Sequence, residues 1–166
     1  MELDIVRVQL KKEGTLYDIL PKIETPEMAA AGFHDFLSDA DREVMAMLTL
    51  TTRNKPINLS LISMGSVTAT LVHPREVFKT AIISNAMGII IAHNHPSGEI
   101  EPSEEDLLVT ERLQEAGKLL GIDVMDHIII GGRGAYYSFQ ENGMMFNGNG
   151  REKYIKEKCK VRQIGR

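Results

Sequence analysis

An apolar segment that ends in two histidines constrains the fold of this chain more than any other feature. Residues 87–95, MGIIIAHNH, are almost entirely apolar until the sequence reaches His93 and His95. A strand without polar alternation is typical of a sheet that is covered on both faces by helices. Pro96 ends the segment, because proline cannot donate a hydrogen bond to a neighbouring strand. The segment therefore predicts a central strand between two layers of helices.

Capping signals and helical periodicity predict three helices around this strand. Thr25 and Pro26 indicate the start of a helix that runs to about Leu37. His73 and Pro74 begin a second helix, over about 73–85. The third covers 103–121, where leucines recur at helical spacing, acidic residues fill the first turn and a glycine suits a left-handed C-cap.

Strands are predicted between these helices. Residues 3–10 alternate apolar and polar side chains, as a half-buried strand does. Further strands are predicted over 44–52 and 57–66, joined as a β-hairpin, and over 122–132 with a return within 132–139. Strands that alternate with helices favour an α/β fold in which a mixed central β-sheet is flanked by helices.

Composition limits the classes of protein and of metal site. The chain has 166 residues, of which 43% are hydrophobic and 25% are charged, as in one globular domain. Its single cysteine, Cys159, excludes an internal disulfide framework and any Cys-x-x-Cys pair. No apolar segment approaches the roughly 18 residues of a membrane span, and the N-terminus lacks the apolar block of a signal peptide. We expect a cytoplasmic protein without a membrane partner, in which any metal site uses histidines and carboxylates.

Charge is distributed unevenly along the chain. Residues 151–166 hold seven Lys or Arg and two Glu, whereas the remainder holds 12 basic and 21 acidic residues. A basic tail can contact nucleic acid, although such a composition is more often simply a solvated, partly helical end. We therefore expect weak nucleic-acid contact at this tail at most.

The two histidines are spaced for chelation of one ion. Side chains at i and i+2 of a strand share a face, so His93 and His95 project together while Asn94 points away. Their α-carbons are roughly 6.5–7 Å apart, and imidazoles can lean inward to place two nitrogens about 3.3 Å apart on a tetrahedral zinc. A catalytic zinc typically has three protein ligands. Asp106, in the first turn of the next helix, can return beside the histidines as the third.

Simpler explanations exist for each part of this pattern. Two nearby histidines are often only a polar strand end, and Ser103-x-x-Asp106 matches a helix capping box. Burial favours the metal site, because polar groups at the end of an apolar strand need partners. Asn94, Ser97 and the Asp126–His127 pair are candidates to hold the second N–H group of each ligating histidine. His127 and His73 are otherwise expected to be structural.

The motif and its flanks resemble a known family. H93-N-H95-PSGEIEP-S103-EE-D106 is similar to the JAMM motif of MPN+/JAB metallopeptidases. The segments VHPREVFKTAIISNAMGIIIAHNHPSG and LLGIDVMDHIIIGG resemble the bacterial RadC family, and the resemblance covers about residues 40–141. It implies a JAB/MPN-like, cytidine-deaminase-like three-layer architecture.

The resemblance also implies roles for individual residues. His93, His95 and Asp106 would be zinc ligands, and Ser103 would steady a tetrahedral intermediate. Glu43, in the segment DREVM, would be the general base, an assignment that depends on the resemblance alone. The implied activity is that of a zinc-dependent metallohydrolase, a peptidase or isopeptidase acting on a peptide or protein. The alternative is a DNA-associated accessory or repair protein of the RadC family, with nuclease activity as one form.

The chain departs from the family pattern at its N-terminus. Many RadC proteins carry an N-terminal helix-hairpin-helix region, whereas residues 1–38 predict a strand and one helix. We therefore divide the chain into an N-terminal extension packed on the core (1–38), a catalytic core (39–141), and a Gly/Asn-rich linker with the basic tail (142–166). The insertions of ubiquitin-cleaving relatives have no match here, so ubiquitin is not inferred as a substrate.

Overall fold

The computed structural model describes residues 3, 7–16, 21–65 and 72–145 of the chain. In these ranges it contains three α-helices, a short 3-10 turn and one mixed five-stranded sheet, which confirms the predicted α/β class. In chain order the elements are α1 (Pro26–Leu37), β1 (Glu43–Leu50), β2 (Pro56–Gly65), α2 (Pro74–Ile83), β3 (Gly88–Asn94), α3 (Glu104–Leu120), β4 (Asp123–Ile130), a 3-10 turn (Gly132–Gly134) and β5 (Tyr136–Ser138).

The apolar strand β3 occupies the centre of the sheet. The strand order is β2-β1-β3-β4-β5, in which β3 is parallel to β4 and the other pairs are antiparallel. The predicted β1–β2 hairpin is confirmed. Because β3 and β4 are parallel and β1 runs the other way, the C-terminal ends of β3 and β4 meet the start of β1 at one edge of the sheet.

Helices cover both faces of this sheet. Helix α1 packs on one face through Phe33 and Leu37, with Ile90 and Ile128 of the sheet in the same cluster. Helices α2 and α3 cover the other face, where the sheet contributes Ile89, Ile91 and Ile129 and the helices Phe78 and Leu113. All seven residues of β3 are buried, which explains why its sequence lacks polar alternation.

The three predicted helix starts are confirmed by their capping contacts. The side chains of Thr25, His73 and Ser103 each accept a backbone N–H from the first turn of the helix that follows. These contacts satisfy donors that have no partner within a helix. Helix α3 ends as predicted, at Gly121 with φ 68°, a conformation that glycine adopts without steric penalty.

The strand predicted over 3–10 is wrong for the residues that the structure describes there. Residues 7–10 form no strand, and Val8 and Leu10 are 70% and 46% exposed. A segment with alternating apolar and polar residues forms a strand only where the edge of another strand supplies hydrogen bonds and an apolar surface lies beside it for packing. Residues 7–10 pair with neither edge strand of the sheet. Residues 4–6 lie outside the described part of the chain.

Other expectations concern the two ends. Met144 and Met145, in the first part of the predicted linker, pack into the core on the α2–α3 face. Residues 146–166, including Cys159 and the basic tail, lie outside the described ranges. The division of the chain at residues 38 and 141 stays a prediction. Within the residues placed by the structure, no helix has the length and apolar composition that crossing a membrane requires.

Gly117 provides a test of the packing between α3 and β4. A β-carbon at this position would clash with the carbonyl oxygen of Ile122 and lie 3.3 Å from the Phe78 ring. We expect Gly117→Ala to lower the free energy of unfolding by about 1–3 kcal/mol, because backbone cannot move aside cheaply. Gly32→Ala, in α1 with open space around its β-carbon, should raise it by about 0.5–1 kcal/mol. Urea unfolding of both variants measures whether the two changes in the free energy of unfolding have opposite signs. A Gly117→Ala protein that is more stable than wild type would contradict this packing.

Candidate metal centre

Three side chains converge at the edge where β3 ends. His93 is the second-last residue of β3, His95 directly follows the strand, and Asp106 lies in the first turn of α3. His93 Nε2 is 3.0 Å from His95 Nε2 and 3.1 Å from Asp106 Oδ1, and His95 Nε2 is 3.7 Å from Asp106 Oδ2. His93 and Asp106 are buried, whereas the His95 side chain is 16% exposed. These three residues form a group that can bind a metal ion.

The loop between β3 and α3 brings Asp106 back to the histidines. Gly98, with φ 77°, donates its N–H to the His95 carbonyl at 2.8 Å and so closes a turn after Pro96. The loop then packs on the turn after β4, where a β-carbon on Gly131 would clash with Ile100 and lie 2.9 Å from the Gly98 carbonyl oxygen. Glycine at position 131 therefore lets the loop lie against the sheet edge.

The imidazole of His95 is oriented by this loop. Its Nδ1 lies 3.0 Å from the Glu99 carbonyl oxygen. A carbonyl can only accept, so Nδ1 carries the hydrogen and Nε2 of the neutral ring presents its lone pair to the site. Hydrogen bonding to Asp106 raises the pKa of His95, with burial opposing this and Glu43 adding a smaller effect in the same direction.

Asp106 belongs to the helix cap and to the site at once. Its Oδ2 accepts the Ser103 N–H and the Ser103 hydroxyl, both at 2.7 Å, and Ser103 Oγ accepts the Asp106 N–H at 3.1 Å. This is the capping box that the sequence pattern predicted. Oδ1 is left to face His93. Burial opposes ionisation of this carboxyl, but its interactions with the rings of His93 and His95 hold the pKa of Asp106 well below its usual range.

Glu43 lies beside this group at the start of β1. Met45 is directly opposite His93 in the β1–β3 pair, and alternate residues share a face, so Glu43 projects from the same face as His93. Its charge contributes to the raised pKa of His95. The structure therefore places Glu43 in the neighbourhood of the histidines.

Asn94 projects from the opposite face and holds the backbone on both sides of Glu43. Its Oδ1 accepts the Val44 N–H at 2.8 Å, and its Nδ2 donates to the Arg42 carbonyl at 3.0 Å. Asn94 is therefore a partner of the β1 backbone and not of a ligating imidazole. Ser97 is likewise engaged elsewhere, since its Oγ accepts the Glu99 N–H at 3.3 Å.

His127 of β4, one of the candidates to hold a ligating histidine, contacts the site directly. Its Nε2 is 2.8 Å from His93 Nδ1, and its Nδ1 is 2.6 Å from Thr110 Oγ1. The ring is fully buried and stacks on Phe139. Burial, with a smaller effect from His93, lowers the pKa of His127 to about 3. From the sequence, His127 is one of several equally ranked candidates for this contact. Thr110 is not among them, and its position one turn after Asp106 is the signal that could have identified it.

The Asp126 carboxylate faces away from the histidines and supports β4. It accepts the His127 N–H at 2.7 Å, the Gln140 N–H at 2.9 Å and the Ser138 hydroxyl at 2.6 Å. Burial raises the pKa of Asp126 to about 6, and these hydrogen bonds partly offset the effect. Asp126 therefore ties the strand that carries His127 to β5.

We expect the stability difference between wild type and Asp126→Asn to depend on pH. A pKa of about 6 in the folded state exceeds the usual value of about 3.9. At pH values between these two pKa values, the folded state binds a proton that the unfolded state does not. The contribution of this group to the stability of the wild type therefore falls as pH rises. Asp126→Asn lacks this titration, and its stability relative to wild type should increase from about pH 4.5 to about pH 7.5.

Urea unfolding across this pH range measures the effect. Asp123→Asn, at the exposed start of β4, is the control. The free energy of unfolding of this variant should change with pH in the same way as that of the wild type. A difference between Asp126→Asn and wild type that stays constant with pH would mean that Asp126 does not titrate in this window.

Comparison with known proteins identifies the family of this chain. The family model described as RadC-like JAB domain matches residues 23–144. UPF0758 proteins of Rubrobacter xylanophilus and Methanosarcina acetivorans are each 44% identical over 75% of this chain and 54% of their own length. A UPF0758 protein of Thermotoga maritima is 47% identical over 62% of this chain and 46% of its own. The chain thus spans about half the length of these relatives, and their names state no activity. On the extent of the family match, the chain belongs to the RadC-like JAB domain family.

Proposed function

We propose that this chain is a zinc-dependent hydrolase that cleaves an amide bond, as a peptidase or isopeptidase acting on a peptide or protein. The observation that carries the proposal is the convergence of His93 Nε2, His95 Nε2 and the Asp106 carboxylate, whose closest atoms lie 3.0–3.7 Å from one another. These atoms lie at an edge of the sheet where the His95 side chain is partly exposed. A substrate can therefore approach from the side of His95.

The donor set fits zinc. Two imidazole nitrogens and one carboxylate oxygen are ligands that catalytic zinc commonly takes, with a further position left for water or substrate. The 3.0 Å between the two Nε2 atoms is close to the roughly 3.3 Å between two nitrogens on one tetrahedral zinc. A divalent cation held there would supply Lewis acidity, which lowers the pKa of water and polarises a carbonyl oxygen.

Glu43 is proposed as the general base. It shares a face of the sheet with His93, and its charge reaches His95. A carboxylate beside the reacting centre can accept a proton from water and return it to the leaving amine, a contribution of about 10²–10⁴-fold in rate. The Asn94 hydrogen bonds to the backbone on either side of Glu43 would keep this base at a fixed distance from the histidines.

Ser103 is proposed to donate to the oxyanion that forms during hydrolysis. Its hydroxyl has one hydrogen, which it donates to Asp106 Oδ2, while its oxygen accepts the Asp106 N–H. Rotation of the hydroxyl would redirect the hydrogen to a substrate oxygen, and the Asp106 carboxylate would keep the Ser103 N–H as a partner. One oxyanion donor of this kind typically contributes about 3–4 kcal/mol to transition-state stabilisation.

The DNA-associated alternative depends mainly on the basic tail. Residues 151–166 lie outside the described ranges, and the remainder of the chain is acidic. Phosphate binding needs clustered cations. Nucleic-acid contact therefore stays a prediction of the sequence and is not the function favoured by the site.

Metal content is the first test of the proposal. Protein from a zinc-replete preparation should contain about one zinc ion per chain, and Asp106→Asn should lose most of it because one of three ligands is gone. Glu105→Gln is the matched control, since Glu105 is exposed in the same turn of α3. Elemental analysis gives the metal content, and circular dichroism verifies that the variants fold. Wild-type protein that takes up no zinc would contradict the proposal of a metal centre.

Glu43→Gln separates the base from the ligands. We expect this variant to keep its zinc and to lose hydrolysis by about 10²-fold or more, because glutamine cannot accept the proton. The assay incubates wild type and variant with a library of linear and isopeptide-linked peptides and identifies new termini by mass spectrometry. Glu105→Gln should cleave the same peptides as wild type. Turnover that survives in Glu43→Gln would exclude Glu43 as the base.

A further inference from the structure

A buried chain of hydrogen bonds connects His93 to the backbone of α3. Thr110 Oγ1 donates to the Asp106 carbonyl at 2.6 Å and lies 2.6 Å from His127 Nδ1. His127 Nε2 in turn lies 2.8 Å from His93 Nδ1. The side chains of Thr110, His127 and His93 are all fully buried. In such surroundings each polar atom depends on these contacts for its hydrogen bond.

Starting from its first member, the direction of every hydrogen in this path can be assigned. The Asp106 carbonyl can only accept, so it takes the single hydroxyl hydrogen of Thr110. Thr110 Oγ1 can then only accept from its other partner, and His127 Nδ1 must carry a hydrogen. A neutral imidazole has one N–H group, so His127 Nε2 is an acceptor and takes the hydrogen of His93 Nδ1. The Asp106 carboxylate, whose Oδ1 lies 3.1 Å from His93 Nε2, opposes this direction unless a cation lies between the two atoms.

This assignment requires a neutral His127, and its surroundings favour that form. The ring stacks on Phe139 with centroids 4.7 Å apart, and its two nitrogens contact Thr110 and His93, neither of which is anionic. Burial without a carboxylate partner disfavours the charged imidazolium.

Each contact has a simpler explanation when taken singly. A threonine inside a helix often bonds to the carbonyl four residues earlier without any further role, and a buried histidine can serve packing alone. The two contacts of Thr110 Oγ1 and the two of His127 form one uninterrupted path that ends on a proposed metal ligand. His95 receives the same tautomer independently, from the Glu99 carbonyl. Both rings consequently present Nε2, and these are the two atoms that lie 3.0 Å apart.

We infer that Thr110 and His127 are positioning residues that hold His93 in the Nδ1–H tautomer and thereby direct its Nε2 lone pair to the metal site. The inference rests on the proposed function for its consequence, metal affinity, whereas the tautomers can be observed in the protein without metal. Partners of this kind behind a ligating histidine are commonly worth 10–100-fold in metal affinity.

Thr110→Val and Thr110→Ser test the inference as a matched pair. Valine fills the site of threonine but removes the acceptor of the His127 Nδ1–H, so the His127 hydrogen should move to Nε2, where it opposes the Nδ1–H of His93. Serine keeps the hydroxyl and should behave as wild type. Long-range ¹H–¹⁵N correlation spectra of histidine-labelled protein, recorded with and without zinc at about pH 8, where exposed imidazoles are neutral, report the tautomers. Competition with a chromophoric chelator reports zinc affinity.

We expect His127 to carry its hydrogen on Nδ1 in wild type and Thr110→Ser, and on Nε2 in Thr110→Val. Zinc should bind about 10–100-fold more weakly to Thr110→Val than to Thr110→Ser. An Nε2–H tautomer of His127 in wild type would overturn the inference without any variant, and so would an Nε2–H tautomer in Thr110→Val with unchanged zinc affinity. If wild type binds no zinc, the proposed function fails, and the wild-type spectrum still decides whether the path sets the tautomer.

Discussion

The parallel pairing of β3 with β4 at the centre of the sheet fixes the surroundings in which the polar site forms. Helices cover both faces of the pair, and His127 lies opposite Ile91, where its ring reaches His93. An imidazole in such a place gains nothing from water, so its nitrogens must find partners within the protein. The Asp106 carboxylate, the Glu99 carbonyl and the His127 ring supply them. The site is therefore a consequence of burying the end of β3 as much as of the histidines themselves.

The start of α3 determines where the third ligand lies. Asp106 Oδ2 completes the helix cap with Ser103, and this contact sets the side-chain rotamer that turns Oδ1 to His93. The capping box and the metal ligand, which compete as explanations when only the sequence is considered, are thus served by different oxygens of one carboxylate. Since the cap fixes the first turn of the helix, the ligand is held by backbone structure and not by a mobile loop.

Much of this arrangement could be predicted from local sequence signals. Proline after a capping residue located the starts of α1 and α2, the unbroken apolar run located β3, and the spacing from His93 to Asp106 selected the three convergent residues. The contact between His127 and His93 could not be predicted in this way, because it depends on the register of two strands, which shifts between Ile89 and Ile90. The strand predicted near Val8 failed for a related reason: strand formation depends on a distant partner, and alternation of side chains does not reveal whether one is present.

The alternation of side chains in the His93-Asn94-His95 segment links the proposed ligands to the proposed base. The two imidazoles project toward Asp106, while Asn94 on the opposite face bonds to the Arg42 carbonyl and the Val44 N–H, which flank Glu43. A displacement of the end of β3 would therefore carry the start of β1 with it. The distance between Glu43 and the histidines is consequently less sensitive to motion of this edge than it would be if Glu43 lay on an independent loop. These two roles explain why three consecutive polar residues lie at the end of a buried strand. His93 and His95 form the site on one face, and Asn94 on the other face holds β1 in register with β3.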